Sequence, residues 1–224
     1  MRVTSGRSIA LTALLLVLGV SSAIAQVSPY RVQQRYDEAK KGKSIDEWTK
    51  RLNEDDPATR LEAVKSLGES NQPEAVEYLI QATGDPDEAV RIKAIDYLGK
   101  LRATAATGVL VQKLFMRDVD IQTKQRILVA LGRMGDVKAV DPIAQFLGQT
   151  SDPAVAGTAV FALGEIGDPS AIPRLEHIQR SANDPHLSQL AGEAVAKINR
   201  RMSPAAVAVT VPALEEDKPP TAKR

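Results

Sequence analysis

A nine-residue pattern recurs five times along the chain and constrains its fold more than any other feature. The copies are Arg60–Gly68, Arg91–Gly99, Lys124–Gly132, Ala156–Gly164 and Ala191–Asn199. Their penultimate positions hold aliphatic side chains that lie 31 to 35 residues apart, namely Leu67, Leu98, Leu131, Leu163 and Ile198. A period of this size is the signature of stacked repeats, in which no unit can bury its apolar face alone. The sequence therefore predicts a row of like units that shelter one another.

Each unit carries the start and stop signals of a first helix. Four starts pair an aspartate with a proline, which suit the N-cap and the first turn of a helix; they are Asp56-Pro57, Asp85-Pro86, Asp152-Pro153 and Asp184-Pro185. The third unit has Asp118-Val119-Asp120 instead. We expect the first helices to end at the pattern glycines, because glycine adopts the left-handed conformation after a helix without steric cost. These are Gly68, Gly99, Gly132 and Gly164, with Asn199 in the last unit.

Second helices follow within each unit and complete an all-α fold. They are predicted at 73–83, 104–116, 138–148 and 169–181. The pattern thus predicts an α-solenoid of about four helix pairs plus terminal capping helices. Its repeats occupy about 55–83, 84–115, 116–149 and 150–181, and a half repeat, 182–201, closes a repeat domain of 44–201.

A capping helix is predicted at 44–53, before the first repeat. Ser44 and Glu47 have the spacing of a capping box, and Ile45, Trp48 and Leu52 fall on one helical face. We expect this face to cover the exposed apolar side of the first repeat, because terminal repeats need such caps to stay soluble. Stacking of Trp48 on a ligand is the alternative.

Residues 1–25 have the layout of a Sec-type secretory signal peptide. Arg2 and Arg7 precede the apolar run Ile9–Val20, and Ala23-Ile24-Ala25 follows it. Cleavage is expected after Ala25, which predicts a periplasmic or secreted protein without membrane association. The alternative is an uncleaved anchor, although the run is shorter than the roughly 20 residues that a spanning helix needs.

The remaining segments and the overall charge exclude several classes of function. Residues 26–43 form a polar segment, and 202–224 form a proline-containing tail that we expect to be disordered. The chain of 224 residues has a formal charge of +1, so it offers no electrostatic case for binding nucleic acid or anionic lipid. It contains no cysteine, which excludes disulfides and a thiolate nucleophile.

The repeat pattern resembles the short HEAT-like repeats first named after phycobilisome lyases, the E-Z HEAT type. The residues that carry the resemblance are Asp85–Arg91, Ala94 and Leu98-Gly99 in one unit, and Asp152-Pro153, Ala159, Leu163-Gly164 and Ala171–Pro173 in another. The resemblance covers about 44–201. It implies a right-handed superhelix of the armadillo/HEAT-like kind, whose second helices line a concave binding surface.

A polar column is predicted along that surface. Gln81, Gln112, Gln145 and His177 each lie two residues after an apolar second-helix residue. The column is either an amide ladder that holds adjacent helices together or a site that binds a peptide backbone, since amides both donate and accept hydrogen bonds. The flanking residues are Glu77, Tyr78, Asp141 and Arg174.

Two further columns are interpreted as structural. Ala63, Ala94, Ala159 and Ala194, with Ile127 as the exception, let neighbouring first helices approach closely. The resemblance also implies a ladder of ion pairs between repeats, for which Asp85 with Arg91 and Asp118 with Lys124 share a six-residue spacing.

No catalytic or metal-binding motif is found, and we predict neither an active site, a metal nor a cofactor. His177 and His186 are the only histidines, and there is no H-E-x-x-H, P-loop or G-x-G-x-x-G. The sequence therefore predicts a monomeric, non-catalytic scaffold of the bacterial envelope that binds a protein or peptide. The alternative is a lyase-like or chaperone-like accessory acting on a cofactor or client enzyme. A nucleic-acid binder would need a basic concave face, against which Glu77 and Asp141 argue.

Overall fold

The computed structural model describes residues 45–203, which belong to one compact unit. The predicted signal peptide at 1–25, the polar segment at 26–43 and the tail from 204 onward lie outside the described residues.

Every regular element in the described part of the chain is helical. Residues 45–51 are helical and are called α1. The others are α2 (Pro57–Glu69), α3 (Ala75–Ala82), α4 (Glu88–Lys100), α5 (Thr107–Phe115), α6 (Ile121–Met134), α7 (Val140–Leu147), α8 (Pro153–Ile166), α9 (Ile172–Ser181) and α10 (Pro185–Met202). Short 3-10 turns, Thr104–Ala106, Val137–Ala139 and Pro169–Ala171, lead into α5, α7 and α9. The predicted all-α solenoid is confirmed.

The helix pairs form two layers with the core between them. The first helices, α2, α4, α6, α8 and α10, each pack on the next along the row. The second helices, α3, α5, α7 and α9, each pack against the first helix of the following repeat, and α3 also packs against α2. The aliphatic column of the repeat pattern is fully buried in the core, as are the apolar second-helix residues Leu79, Leu110, Ile143 and Leu175.

Aspartates cap the first helices, but one of these helices, α4, begins later than predicted. Asp56 accepts hydrogen bonds from the N–H groups of Ala58 and Thr59, and Asp152 and Asp184 cap α8 and α10 in the same way. The N-cap of α4 is Asp87 rather than Asp85, and that of α6 is Asp120. Asp85 does not cap α4, because its carboxylate accepts hydrogen bonds from the guanidinium of Arg60.

The prediction that the pattern glycines end the first helices is wrong. The helices α2, α4, α6 and α8 continue past them, and Asn199 lies inside α10. The left-handed residues after α6 and α8 are Gly135 and Gly167, with φ of 69° and 78°. Each lies three residues beyond a pattern glycine.

The pattern glycines instead let neighbouring first helices touch through their backbones. A Cβ atom added to Gly99 would lie 2.8 Å from Cα of Ala130, too close for real atoms. A Cβ atom added to Gly132 would lie 3.1 Å from Cα of Ala162, and one added to Gly164 would lie 3.0 Å from Cβ of Ala194. At Gly68 the space is filled by the ring of Tyr97. Close helix packing, which the alanine column predicted, therefore also explains the glycines.

The ion-pair ladder between repeats uses different partners from those predicted. Nε and Nη2 of Arg60 donate to the carboxylate of Asp85 in the next repeat, at 2.8 and 2.9 Å. Arg91 lies 3.9 Å from Asp120 in the repeat after that. The six-residue spacing has another cause, because Nη1 of Arg91 donates to the backbone carbonyl of Asp85 at 2.8 Å. Asp118 and Lys124 form no ion pair within residues 45–203.

Asp85 is the most enclosed acid of this ladder, with its side chain 8% exposed. Burial alone would raise its pKa, but hydrogen bonds from Arg60 and from the N–H of Asp87 more than offset that effect. The pKa of Asp85 is therefore held below its usual value. The ionised carboxylate stabilises the junction of the first two repeats.

Leu98→Ala is expected to destabilise the protein by about 2–5 kcal/mol, because it leaves a cavity at a site with no exposed surface. Ile121→Ala removes an aliphatic side chain that is 54% exposed and is expected to change stability by less than about 0.5 kcal/mol. Urea unfolding of the two variants measures the difference. Equal stability of the two would contradict the placement of Leu98 in the core.

Gly99→Ala is expected to destabilise the protein by about 1–3 kcal/mol through overpacking against Ala130. Gly108→Ala is the matched control, since nothing lies within 4 Å of the added Cβ in α5. It is expected to be neutral or slightly stabilising, because alanine favours a helix over glycine. Thermal melting of both variants tests the close contact, and a neutral Gly99→Ala would exclude it.

Asp85→Asn is expected to cost about 1–3 kcal/mol at pH 7, because it leaves a buried arginine hydrogen bond unmatched. A carboxyl whose pKa is lowered by folding stabilises above its unfolded pKa of about 3.9, and the contribution is lost as the pH falls through its folded pKa. The variant should therefore lose less stability than wild type below about pH 4. Asp96→Asn, in the more exposed pair with Arg126, is the control. An acid dependence equal to that of wild type would show that Asp85 does not contribute in this way.

Candidate functional site

The structure places all eight predicted partner-binding residues on the second helices. Glu77, Tyr78 and Gln81 lie on α3, Gln112 on α5, Asp141 and Gln145 on α7, and Arg174 and His177 on α9. Tyr78 and Arg174 are partly buried and the other six are exposed. The column is accessible along this layer, and its role in binding stays a prediction.

The amide ladder is not formed. Among residues 45–203, no side-chain hydrogen bond joins Gln81, Gln112, Gln145 or His177 to one another, so they do not hold adjacent helices together. Arg174 has a structural position instead, because its guanidinium lies against Gly148 at the end of the preceding second helix. Its Nε is buried without a hydrogen-bond partner in the described part of the chain.

The two layers differ in spacing, and this decides which one lies on the inside of the curve. First helices approach one another to backbone contact at Gly99, Gly132 and Gly164. Second helices lie farther apart: within the described residues, α5 and α7 approach over a short stretch and the remaining neighbours barely meet. In a stack of two layers the more closely spaced layer lies on the concave side. The spacing thus assigns the concave side to the first helices, not to the second helices as the resemblance implied.

An open groove lies at the carboxyl ends of α4, α6, α8 and α10. Its volume is about 600 Å³, and Gly99, Gly132 and Gly135 form part of its lining. Five charged residues line it as well, Lys100, Arg102, Arg133, Glu165 and Arg201. We call it the basic groove. The positions immediately after three pattern glycines hold Lys100, Arg133 and Glu165. This column was not predicted, because those glycines were expected to lie at the ends of the helices.

The charge of the basic groove is positive after its internal contacts are counted. Glu165 pairs with Lys197 and lies 3.9 Å from Nη2 of Arg201, so its carboxylate is shared by two cations. Within residues 45–203, Lys100, Arg102 and Arg133 form no ion pair. Lys100 lies 5.5 Å from the centroid of the Tyr97 ring, a cation–π contact that leaves its charge exposed.

A smaller groove of about 350 Å³ lies on the same layer, between α8 and α10. Phe161 borders it and is 47% exposed, with Leu190 and Lys197 beside it. Nζ of Lys197 lies 5.9 Å from the Phe161 ring centroid. The concave side therefore has an exposed aromatic ring next to the basic groove. Aromatic residues and arginine are enriched in protein–protein interfaces, so this surface is suited to binding another protein.

The described residues contain neither a cluster of metal ligands nor a helix that could span a membrane. Between residues 45 and 203, no three His, Cys, Asp or Glu side chains are grouped closely enough to hold a metal ion. His177 lies on α9 and His186 in the first turn of α10. In the same range no helix has both the length and the apolarity to cross a bilayer.

Solved structures of other proteins are similar to this chain in fold. The complex of CpcE and CpcF of phycocyanin lyase from Nostoc sp. PCC7120 matches with a TM-score of 0.56 and 21% identity, over 74% of this chain and 68% of that chain. Human deoxyhypusine hydroxylase in complex with glycerol matches with a TM-score of 0.27 and 15% identity, over 78% of this chain and 92% of that chain. At these identities the first likeness speaks for the fold alone, and the second carries no argument. No curated protein matches the sequence.

The family is established by the sequence itself. HEAT repeats match residues 45–118 and 107–196, which together make up more than half of the chain. The match covers the stacked helix pairs whose first helices touch through the pattern glycines. The chain belongs to the HEAT-repeat family, as the repeat pattern predicted; for the resemblance to the phycobilisome-lyase type, the comparison supplies a likeness in fold.

Proposed function

We propose that this chain is a non-catalytic scaffold that binds a protein partner in the bacterial cell envelope. The observation that carries the proposal is the concave side of the first helices, where an open basic groove adjoins the exposed ring of Phe161. HEAT repeats are a general scaffold, so the function rests on this surface rather than on the fold.

The concave side is a better candidate for the partner surface than the second-helix column. A protein interface needs a groove or a packed centre in which side chains lose water, with aromatic and arginine residues as anchors. Phe161, Arg133 and Arg201 are of these types and lie on the concave side. The second-helix column is exposed and polar, and such helix faces are most often simply solvated.

The location in the envelope is supported by the sequence of residues 1–25. The basic start, the apolar run and Ala23-Ile24-Ala25 together favour export and cleavage after Ala25. The mature chain would then begin at Gln26. We include this location in the proposal because it determines where a partner should be sought.

A lyase-like or chaperone-like accessory role is the second candidate. It is favoured by the likeness in fold to a complex of two phycocyanin lyase proteins. A bound chromophore, or a covalent mass change in a client after mixing with the purified chain, would favour this candidate over a pure scaffold.

The test is capture of crosslinked partners from the envelope fraction of the native host with the tagged full chain. Lys100→Glu combined with Arg133→Glu reverses two charges of the basic groove. Arg117→Glu combined with Lys138→Glu makes the same charge change at exposed positions outside the groove. Gln112→Ala combined with Gln145→Ala removes the amides of the second-helix column.

We expect the groove variant to capture one specific protein no longer, while its melting temperature stays unchanged. The matched charge variant and the amide variant should retain that protein. Loss of it from the amide variant alone would move the site to the second helices. Recovery of no specific protein, or a start of the exported chain other than Gln26 by intact mass, would contradict the proposal.

A further inference from the structure

We propose that the basic groove is an intramolecular binding site, occupied by the acidic stretch Glu215-Glu216-Asp217 of the same chain. The inference does not depend on the proposed function, since the groove would be covered whether or not a partner exists. It rests on the charge of the groove, its open glycine lining and the reach of the chain beyond α10.

The groove presents cations for which the described residues hold no counter-charge. Lys100, Arg102 and Arg133 line one cavity, and none forms an ion pair between residues 45 and 203. The one acid in the lining, Glu165, is already paired with Lys197. Like charges held together repel one another, so an anionic segment in the groove would relieve that repulsion.

The lining leaves room for an extended chain to approach. Gly135 lies in the lining with nothing within 4 Å of where its Cβ would be. Arg102 has a left-handed backbone, with φ of 51°, and its side chain is exposed at the groove. Arginine binds a carboxylate through two parallel hydrogen bonds, so Arg102 and Arg133 each suit one acidic side chain.

The acidic stretch is close enough along the chain to reach this groove. Helix α10 ends at Met202, and Arg201, one residue earlier, lines the groove. Glu215 lies twelve positions after Ser203, a stretch that spans up to about 40 Å when extended. A tether of this length gives an effective concentration on the order of millimolar, so weak individual contacts are sufficient.

The sequence of the tail supports a specific acidic segment rather than a general attraction. Glu215, Glu216 and Asp217 are consecutive and carry all the acidic side chains beyond Ser203. Lys218 follows them directly, while Lys223 and Arg224 lie beyond Pro219-Pro220. The charged side chains of residues 204–224 therefore cancel, and only local docking of the acidic run would satisfy the groove.

The consequence is competition between the tail and any acidic partner. While the acidic stretch occupies the groove, a partner that uses Lys100 and Arg133 must displace it. The tail thus lowers the apparent affinity of the groove for any partner that competes with it.

Zero-length carbodiimide crosslinking of the full chain tests the inference, because it joins carboxylates only to amines in contact. Lys100 is the one lysine of the groove lining. We expect a link within one chain between residues 215–217 and Lys100, independent of protein concentration and lost in 1 M salt, where the Debye length is about 3 Å. The Glu165–Lys197 pair should link in every variant and is the internal control.

Three variants make the test specific. Glu215→Gln with Glu216→Gln and Asp217→Asn should abolish the Lys100 link, and Arg133→Glu should strongly reduce it. Lys100→Arg keeps the charge but removes the amine, so it should abolish the link without freeing the tail. Equal linking to Lys65 and Lys138, linking between two copies, or no Lys100 link while the control forms would overturn the proposal.

A second measurement covers a contact that crosslinking misses. The chain has no cysteine, so Ala213→Cys accepts a single spin label without background. Its paramagnetic broadening should reach the amide signals of Gly99, Gly132 and Gly135 and spare Gly108 on the other layer. Uniform broadening, or none at these glycines, would count against the tail as the occupant.

Discussion

The backbone contact between successive first helices is the interaction on which the rest of this structure depends. Glycine faces alanine at three junctions, Gly99 with Ala130, Gly132 with Ala162 and Gly164 with Ala194, so these helices approach until main-chain atoms meet. No larger residue fits at Gly99 beside Ala130 without moving one helix. Because each repeat buries its apolar face against the next, this contact fixes the spacing of the whole row.

The candidate binding surface follows from the same contact. Close spacing of the first helices and wider spacing of the second helices curve the row, with the first helices on the inside. The residues after Gly99, Gly132 and Gly164 then line the basic groove, where Lys100 and Arg133 lie beside glycines that leave the lining open. In each of these helices, the pattern glycine sets the close packing and the next residue sets the charge of the concave side.

The fold was predictable from the sequence because its signal is periodic. The spacing of Leu67, Leu98 and Leu131 requires stacked units, and aspartate followed by proline marks three of the first helices at their true starts. These signals are local, so one chain read alone is enough to detect them. The same holds for the alanine column, whose small side chains predicted close packing before any neighbour was known.

The site was not predictable in the same way, since it depends on which atoms meet across repeats. A glycine after leucine suits both a helix end and a close helix contact, and only the position of Ala130 decides between them. Arg60 finds its partner in Asp85, 25 residues away, a pairing that no fixed short spacing reveals. The predicted concave side was assigned by resemblance, whereas the spacing of the two layers is a property of the folded chain.

A double-mutant cycle between Gly99 and Ala130 tests this account most directly. Urea unfolding is measured for Gly99→Ala, Ala130→Gly and the double variant. If the two helices meet at this point, the double variant should relieve part of the clash, because it removes Cβ of Ala130, which lies 3.0 Å from the Cβ added at Gly99. The coupling energy should then be at least about 0.5 kcal/mol. Additive changes, within about 0.3 kcal/mol, would show that the two positions do not meet and that another contact sets the spacing of the repeats.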